Sequence, residues 1–395
     1  MGGEDVLLLQ GPMGDFFKQL ELVLRKNGAI THRIGFNAGD WFFSFKDNYT
    51  PYKGKKEFWS DFIAVYLKEH QIKKIFLFGD CRYYQSIAIK EAQKLGIETY
   101  VFEEGYVRPD YVTMEKWGVN NFSKIPRNSN FYNNLDISFL DTPKVSPTHP
   151  NHLKMILSST FYYIITHLGT PFYRHYEHHR ELNPYREALF GIRNFLRKYK
   201  YKILEKGKLE EILQQQYFFV PLQTYNDFQL RTHSNFDSIE NFLEIVLESF
   251  SLNAQKDKKL VIKHHPVDRG RKDYKSYIYK LAKRFNISLE RLYVVYDLHL
   301  PTLLDHTLGT ITINSTVGLQ ALGHDSAVKV LGNAIYDIDN ICDAKPLEDF
   351  WIKPAKPNKT LFKKFRTYLI RKTQINGHFY GYFDFETLLR RISEK

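Results

Sequence analysis

Cysteine is scarce in this 395-residue chain, which holds only Cys81 and Cys342. Two thiols supply neither a disulfide framework nor a cysteine zinc site, and they fit a reducing compartment. Acidic charge is in deficit as well: 44 Asp and Glu face 56 Lys and Arg, a formal net charge of +12. That balance calls for an anionic partner without choosing among nucleotide substrate, nucleic acid and anionic lipid. Long apolar runs are also wanting. Met155–Leu168 is apolar and aromatic but too short to span a bilayer, and it carries Thr and His. The opening residues MGGEDVLLLQGP lack a basic region followed by a long apolar run, so no signal peptide is expected. Val6 stands where a myristoylation pattern on Gly2 would need Ser or Thr.

What is present is enough apolar material for two cores, with 43% hydrophobic and 16% aromatic residues. Residues 1–120 read as βα units, with strands Val6–Leu9, His32–Phe36, Lys74–Phe78 and Thr99–Phe102 and helices Phe16–Arg25, Phe58–His70 and Tyr84–Leu95. In 121–215 the rhythm lapses. Asn128–Pro150 is loop-like, and Phe190–Lys208 is a basic amphipathic helix of a kind that lies on anionic membranes. No acid-rich site accompanies His175, His178 and His179, and the last two are neighbours that a helix splays apart, so no metal site is expected. Strict alternation returns over 216–345, from strand Tyr217–Pro221 to strand Ala327–Leu331, and 346–395 reads as two closing helices, Leu361–Lys372 and Phe385–Ile392. The fold class is therefore α/β, with two doubly wound, Rossmann-like domains facing across a cleft in the manner of GT-B glycosyltransferases.

The chemistry falls at the carboxyl ends of strands. In the first domain these are QGP (Gln10, Gly11), NAGD, GDCR (Asp80, Arg82) and EEGYVR, where Glu103 and Glu104 adjoin Arg108. Two neighbouring acids need a partner or a function, so either is a candidate acid/base. In the second domain Asp227 lies just beyond the strand ending at Pro221, Lys263 and His265 close LVIKHHP, and Asn314, Ser315, Thr316 and Gly318 pass from a buried strand into a helix. Free N–H groups and hydroxyls at a helix start form a phosphate site without metal. Lys263 and His265 share a face if the strand stays regular.

These segments, LLLQGPMGDFF, FNAGDWFF, LFGDCRYY, VFEEGYVRPDYVTME, GVN, QTYND, KHHP and NSTVGLQAL, together resemble the KpsS/LipB family of capsule polysaccharide proteins over nearly the whole chain. EEGYVRPDY with FGDCR is the specific part. The resemblance implies a retaining β-Kdo transferase, related to the KpsC enzymes, that uses CMP-Kdo as donor substrate and needs no cofactor. It implies an anionic (lyso)phosphatidylglycerol acceptor and an enzyme peripheral on the inner face of the bacterial cytoplasmic membrane, working with other capsule assembly proteins such as a KpsC-type transferase. It maps a catalytic Asp onto Asp227, a motif acid onto Glu103 and the HP histidine onto His265. Asn226 stands where KpsC-type relatives carry a second acid, so Asp227 serves alone. The rival readings are a GT-B enzyme with another nucleotide sugar and a non-catalytic capsule assembly or export scaffold. No RNA-binding signature or basic stacking stripe supports nucleic acid.

Overall fold

The computed structural model describes residues 3–138, 145–177, 184–225 and 234–394, and the chain divides into two compact units. The first comprises Met1–Lys124, Thr142–Pro184 and Leu369–Lys395, and the second Ile125–Asp141 and Tyr185–Tyr368. The segment 121–215 is thus shared between the units, as are the C-terminal helices: Lys359–Thr373 carries the chain from the second unit back into the first.

Among the described residues the first unit holds a seven-stranded sheet built from β1 (Asp5–Leu8), β2 (Ile30–Gly35), β3 (Tyr49–Pro51), β4 (Lys74–Phe78), β5 (Glu98–Glu104), β6 (Tyr111–Lys116) and β12 (Gln374–Asn376). The order β3-β2-β1-β4-β5 is parallel throughout, and β6 and β12 extend it antiparallel. Helix Phe16–Lys26 buries Phe16, Phe17, Leu20 and Leu24, a spacing that makes one apolar face. The Phe16 ring meets Phe379 and Phe383 edge-on, each at 4.9 Å between centroids. That aromatic contact is why the C-terminal segment, remote in sequence, completes the first core.

The second unit's sheet contains β7 (Tyr217–Pro221), β8 (Lys259–Lys263), β9 (Leu292–Val295), β10 (Gly309–Thr312) and β11 (Ala327–Val330), all parallel in the order β11-β10-β7-β8-β9. Its strands are apolar on both faces because helices cover both. Phe218, Val246, Phe250, Ile262 and Ile311 are wholly or almost wholly buried, and Trp351 closes the core with its indole N–H on Ser249 Oγ at 2.9 Å. Two doubly wound α/β sheets are therefore present, each with the strand order that reverses beside its first strand.

Some elements differ from expectation. Helix Ser129–Asn133 interrupts the expected loop Asn128–Pro150, and β6 follows β5 as a hairpin where EEGYVRPDY suggested only a motif loop. Glu115 on β6 is buried yet satisfied, accepting from the Tyr106 hydroxyl at 2.7 Å, so a strand with an acid inside it is stable.

Candidate active site

The loops of the second unit converge at the ends of their strands. β7 is buried along all five residues, and Gln223 follows it. Gln223 Nε2 donates to Asn314 Oδ1 at 2.9 Å, and its Oε1 accepts from Asn314 N at 3.3 Å. The pair bridges β7 and β10, where the strand order reverses, and open α/β sheets bind ligands at that point. Tyr225 N then donates to Asp268 Oδ2 at 2.8 Å. Asp268 is buried in the turn after His265, so the segment leaving β7 is fastened to both the HHP and the NST turns. Asp227, two residues further on, lies outside the described residues, as do His178 and His179.

His265 is half-buried, and its backbone (φ −71°, ψ 133°) is extended as the following proline demands. Its Nδ1 accepts from Val267 N at 3.2 Å, which places the proton of the neutral ring on Nε2. His264 is a core group. Its Nε2 accepts from Tyr274 N at 2.8 Å and its ring stacks on Tyr296 at 4.5 Å. Burial pushes its pKa down to about 4, so it is neutral near pH 7. Lys263 is buried, donates from Nζ to the Tyr296 carbonyl at 2.7 Å, and has its pKa lowered by burial. It braces the ends of β8 and β9.

Ser315 caps helix Thr316–Gly323, its Oγ accepting from Val317 N at 3.2 Å. Gly318 is required by packing. A Cβ there would fall 2.2 Å from the Tyr336 hydroxyl oxygen, and that hydroxyl donates to the Ser315 carbonyl. Tyr336 thereby holds the turn from behind.

In the first unit, β4 runs into Gly79, whose φ of +71° suits glycine. Asp80 is buried, with Oδ2 accepting from Val119 N at 2.7 Å and Oδ1 from Cys81 Sγ at 3.0 Å. It joins the GDC turn to the GVN turn. A Cβ on Gly79 would lie 3.7 Å from Arg82 Nε and 3.8 Å from Glu103 Oε2, so these groups flank one point. Burial pushes the Glu103 carboxyl up to about 7, and the Glu104 and Asp80 charges push the same way, while the Glu104 N–H and Arg82 pull it down. Such a group is part ionised at neutral pH and suits general acid/base work. Glu104 is exposed. Arg108 is also exposed and donates from Nε to the Gly105 carbonyl at 3.3 Å, so the cation that acts on Glu103 is Arg82.

Gln10 is buried at the end of β1. Its Nε2 lies 3.0 Å from Asp40 Oδ2 and 3.2 Å from the Tyr162 hydroxyl, and its Oε1 accepts from Gln85 Nε2 at 3.3 Å. Asp40 also accepts from Phe36 N and from the Tyr162 hydroxyl, and burial pushes its pKa up. Gly11 gives room to Phe17, since a Cβ would meet that ring at 2.5 Å.

Residues 73–380 match the model of a family described as capsule polysaccharide biosynthesis protein. The chain is 38% identical to the capsule polysaccharide export protein KpsS of Escherichia coli, covering 96% of this chain and 98% of the relative. It is 38% identical to the capsule polysaccharide modification protein LipB of Neisseria meningitidis serogroup A, covering 96% and 92%. This chain belongs to the capsule polysaccharide biosynthesis protein family. Among solved structures it is similar to Thermosulfurimonas dismutans KpsC, beta Kdo 2,4 transferase, at 15% identity and a TM-score of 0.48, over 100% of this chain and 99% of that one.

In this capsule polysaccharide family member the structure groups the site residues by unit. Asn314, Ser315, Thr316, Gly318 and His265 stand on adjoining loops of the second. Glu103, near the end of β5, and Asp80 and Arg82, just past β4, stand at adjoining strand ends of the first, while Gln10 and Gly11 serve a neighbouring packed cluster. Gln223, Asp268 and Tyr336 were not anticipated. The available signal for the first was a polar residue where the apolar run Tyr217–Leu222 stops, and Asp268 and Tyr336 had none.

Proposed function

We propose that the chain is a retaining β-Kdo transferase that moves Kdo from CMP-β-Kdo to (lyso)phosphatidylglycerol, starting the poly-Kdo linker of a bacterial capsular glycolipid. The observation that carries this reading is the fastening of the segment before Asp227 to both the His265 turn and the Ser315 helix start. A nucleophile delivered by that segment is supported by an imidazole and by a phosphate-binding turn on the same unit. The choice of donor and acceptor rests on the family resemblance of EEGYVRPDY and FGDCR.

Asp227 attacks the anomeric carbon as CMP departs, giving a glycosyl-enzyme. The charge that develops on the phosphate is met by the His265 Nε2–H and by the start of helix Thr316–Gly323. Glu103 takes the proton of the acceptor hydroxyl that displaces Asp227, and its pKa near 7 allows this at neutral pH. Two inversions preserve the configuration. The product is a glycolipid for a KpsC-type transferase to extend.

The enzyme works as a peripheral protein at the inner face of the cytoplasmic membrane. Among the described residues no helix is long and apolar enough to cross a bilayer, so an enzyme for a lipid headgroup must approach from the surface. Helix Pro184–Leu204 exposes Arg193, Lys198, Lys200 and Lys202 beside exposed Ile192 and Phe195, a composition that suits an anionic leaflet.

The test is mass spectrometry of a fluorescent lysophosphatidylglycerol incubated with CMP-Kdo and the purified protein. Addition of Kdo, lost in Asp227→Asn, is the expected result. An unmodified acceptor with CMP-Kdo but a modified one with a UDP-sugar would move the protein to another donor class, and an unmodified acceptor with both would favour a scaffold.

A further inference from the structure

Helix His152–Leu168 is built inside out. Its inner face is polar: the Tyr162 hydroxyl donates to Asp40 Oδ1 at 2.8 Å, Thr166 Oγ1 donates to Asn37 Oδ1 at 3.0 Å, and Lys154 Nζ lies 3.0 Å from Asp15 Oδ1. Its outer face carries Leu153, Ile156, Leu157, Phe161, Ile164 and Leu168, all exposed, with Leu153 at 67% and Leu168 at 70%. Spacings of three and four align these six in one stripe. The helix cannot roll to hide them. A Cβ on Gly39 would fall 2.7 Å from the Tyr162 ring and one on Gly169 2.2 Å from Ala38 Cβ, so the polar face is locked in place against the short helix Ala38–Phe42. A continuous apolar stripe of this size on a charged protein marks an interaction site.

Three observations select a lipid surface as the cover. No Asp or Glu stands between Val145 and Tyr176, while Arg174 near the end of the helix does, so no acid of this stretch opposes an anionic leaflet. Exposed aromatic rings stand on the adjoining elements: Trp41 and Phe42, on the short helix packed against His152–Leu168, are 46% and 48% exposed, and Phe172 just past its end is 70% exposed. Rings on elements next to an apolar face are a mark of a membrane interface. Seventeen residues extend about 25 Å, which suits lying in the interface plane.

We propose that His152–Leu168 inserts its outer face into the boundary between headgroups and acyl chains of an anionic bilayer, giving the enzyme an apolar foothold in addition to its charged one. This rests on the proposed lipid acceptor only insofar as such an enzyme must visit a membrane, and binding is measured without donor.

The experiment uses full-length protein and vesicles of phosphatidylglycerol and phosphatidylcholine. Phe161→Trp places an indole on an exposed position. Its emission, taken as the difference from parent protein, should shift to the blue on adding vesicles and be quenched by lipids brominated near the headgroup end of the chain. In high salt, which screens surface charge, parent protein should keep a vesicle-bound fraction, and the triple variant Ile156→Asn, Phe161→Asn, Ile164→Asn should lose it by roughly tenfold or more. An emission that neither shifts nor quenches overturns the proposal. So does a dimer in sedimentation, without lipid, that the triple variant abolishes, because a second copy would then be the cover. Failure of Kdo transfer with quenching intact overturns the proposed reaction and leaves the insertion standing.

Discussion

Gln223 and Asn314 exchange two hydrogen bonds across the β7–β10 switch point, at 2.9 and 3.3 Å. Each amide satisfies the other, so the loop leaving β7 and the loop entering helix Thr316–Gly323 keep one relative position. Gln223→Ala leaves Asn314 without these bonds. With roughly 1 kcal/mol net per hydrogen bond, affinity for CMP should fall on the order of tenfold while circular dichroism stays that of the parent. Isothermal titration with CMP is the measurement, and an unchanged affinity would place the nucleotide away from this turn.

Glu103 sets the pH dependence. A carboxyl pushed up to about 7 is protonated below that pH and cannot accept a proton, so kcat/KM should fall as pH drops through about 7. Arg82 pulls the pKa down; Arg82→Met should therefore move the limb to higher pH. Stability follows with a defined sign. The folded pKa is raised above the ordinary 4.5, so the favourable contribution of the protonated form is complete below about 4.5 and is lost as pH rises to about 7. Glu103→Gln, which cannot ionise, should abolish transfer yet raise Tm at pH 8. A Tm that falls there would show that the ionised carboxylate is held by a partner.

Strand ends were legible in the sequence where an apolar run meets a polar or turn-forming break, as at β4 before Gly79-Asp80 and at β7 two residues before Gln223, whose observed limits coincide with the expected ones. β6 and β12 were not, because beside the core-facing Val112, Met114 and Ile375 their second face is buried, polar and satisfied at a distance: Gln374 Nε2 donates to Thr113 Oγ1 at 3.0 Å, a pairing across 261 residues. Rules of local spacing also stop where an element stops. β8 ends at Lys263, whose ammonium is taken by the Tyr296 carbonyl just past the end of β9, a partner that spacing along one segment does not name. Arg108 is closer to Glu103 in sequence, but sheet register brings Arg82 from the neighbouring strand end. Convergence of the QTY, HHP and NST turns is likewise a consequence of strand order, which no single segment encodes.

His265 and the segment that leads to Asp227 are linked by Asp268, and substitutions there should separate chemistry from binding. His265→Ala should lower kcat roughly 100-fold, as expected for losing one stabiliser of a leaving group. Asp227→Ala and Asp227→Asn should abolish transfer while sparing CMP binding. Asp268→Asn keeps an acceptor for Tyr225 N and should be mild, whereas Asp268→Ala frees the segment and should lower kcat more than it raises KM for donor. Steady-state kinetics of the five variants decide it; parent-like turnover in either Asp227 variant would remove that residue from the reaction.

The basic helix should hold the protein to anionic membranes in a salt-sensitive way. Arg197 is not part of the contact, because it is half-buried and donates from Nη1 to the Arg269 carbonyl at 2.8 Å. Tyr201 is also turned inward, stacked on Tyr296 at 3.8 Å. These inward contacts fix the helix so that Arg193, Lys198, Lys200 and Lys202 face solvent. Each basic group near an anionic leaflet contributes about 1 kcal/mol, so replacing the four with Gln should weaken binding to phosphatidylglycerol vesicles by roughly 100-fold or more. Screening acts over about 8 Å at physiological ionic strength, so parent binding should itself decline steeply with salt. Transfer to a short acceptor lacking acyl chains should be unaffected. Flotation of parent and variant across a salt series is the measurement, and a quadruple variant that floats like the parent at physiological salt would assign this helix a structural role alone.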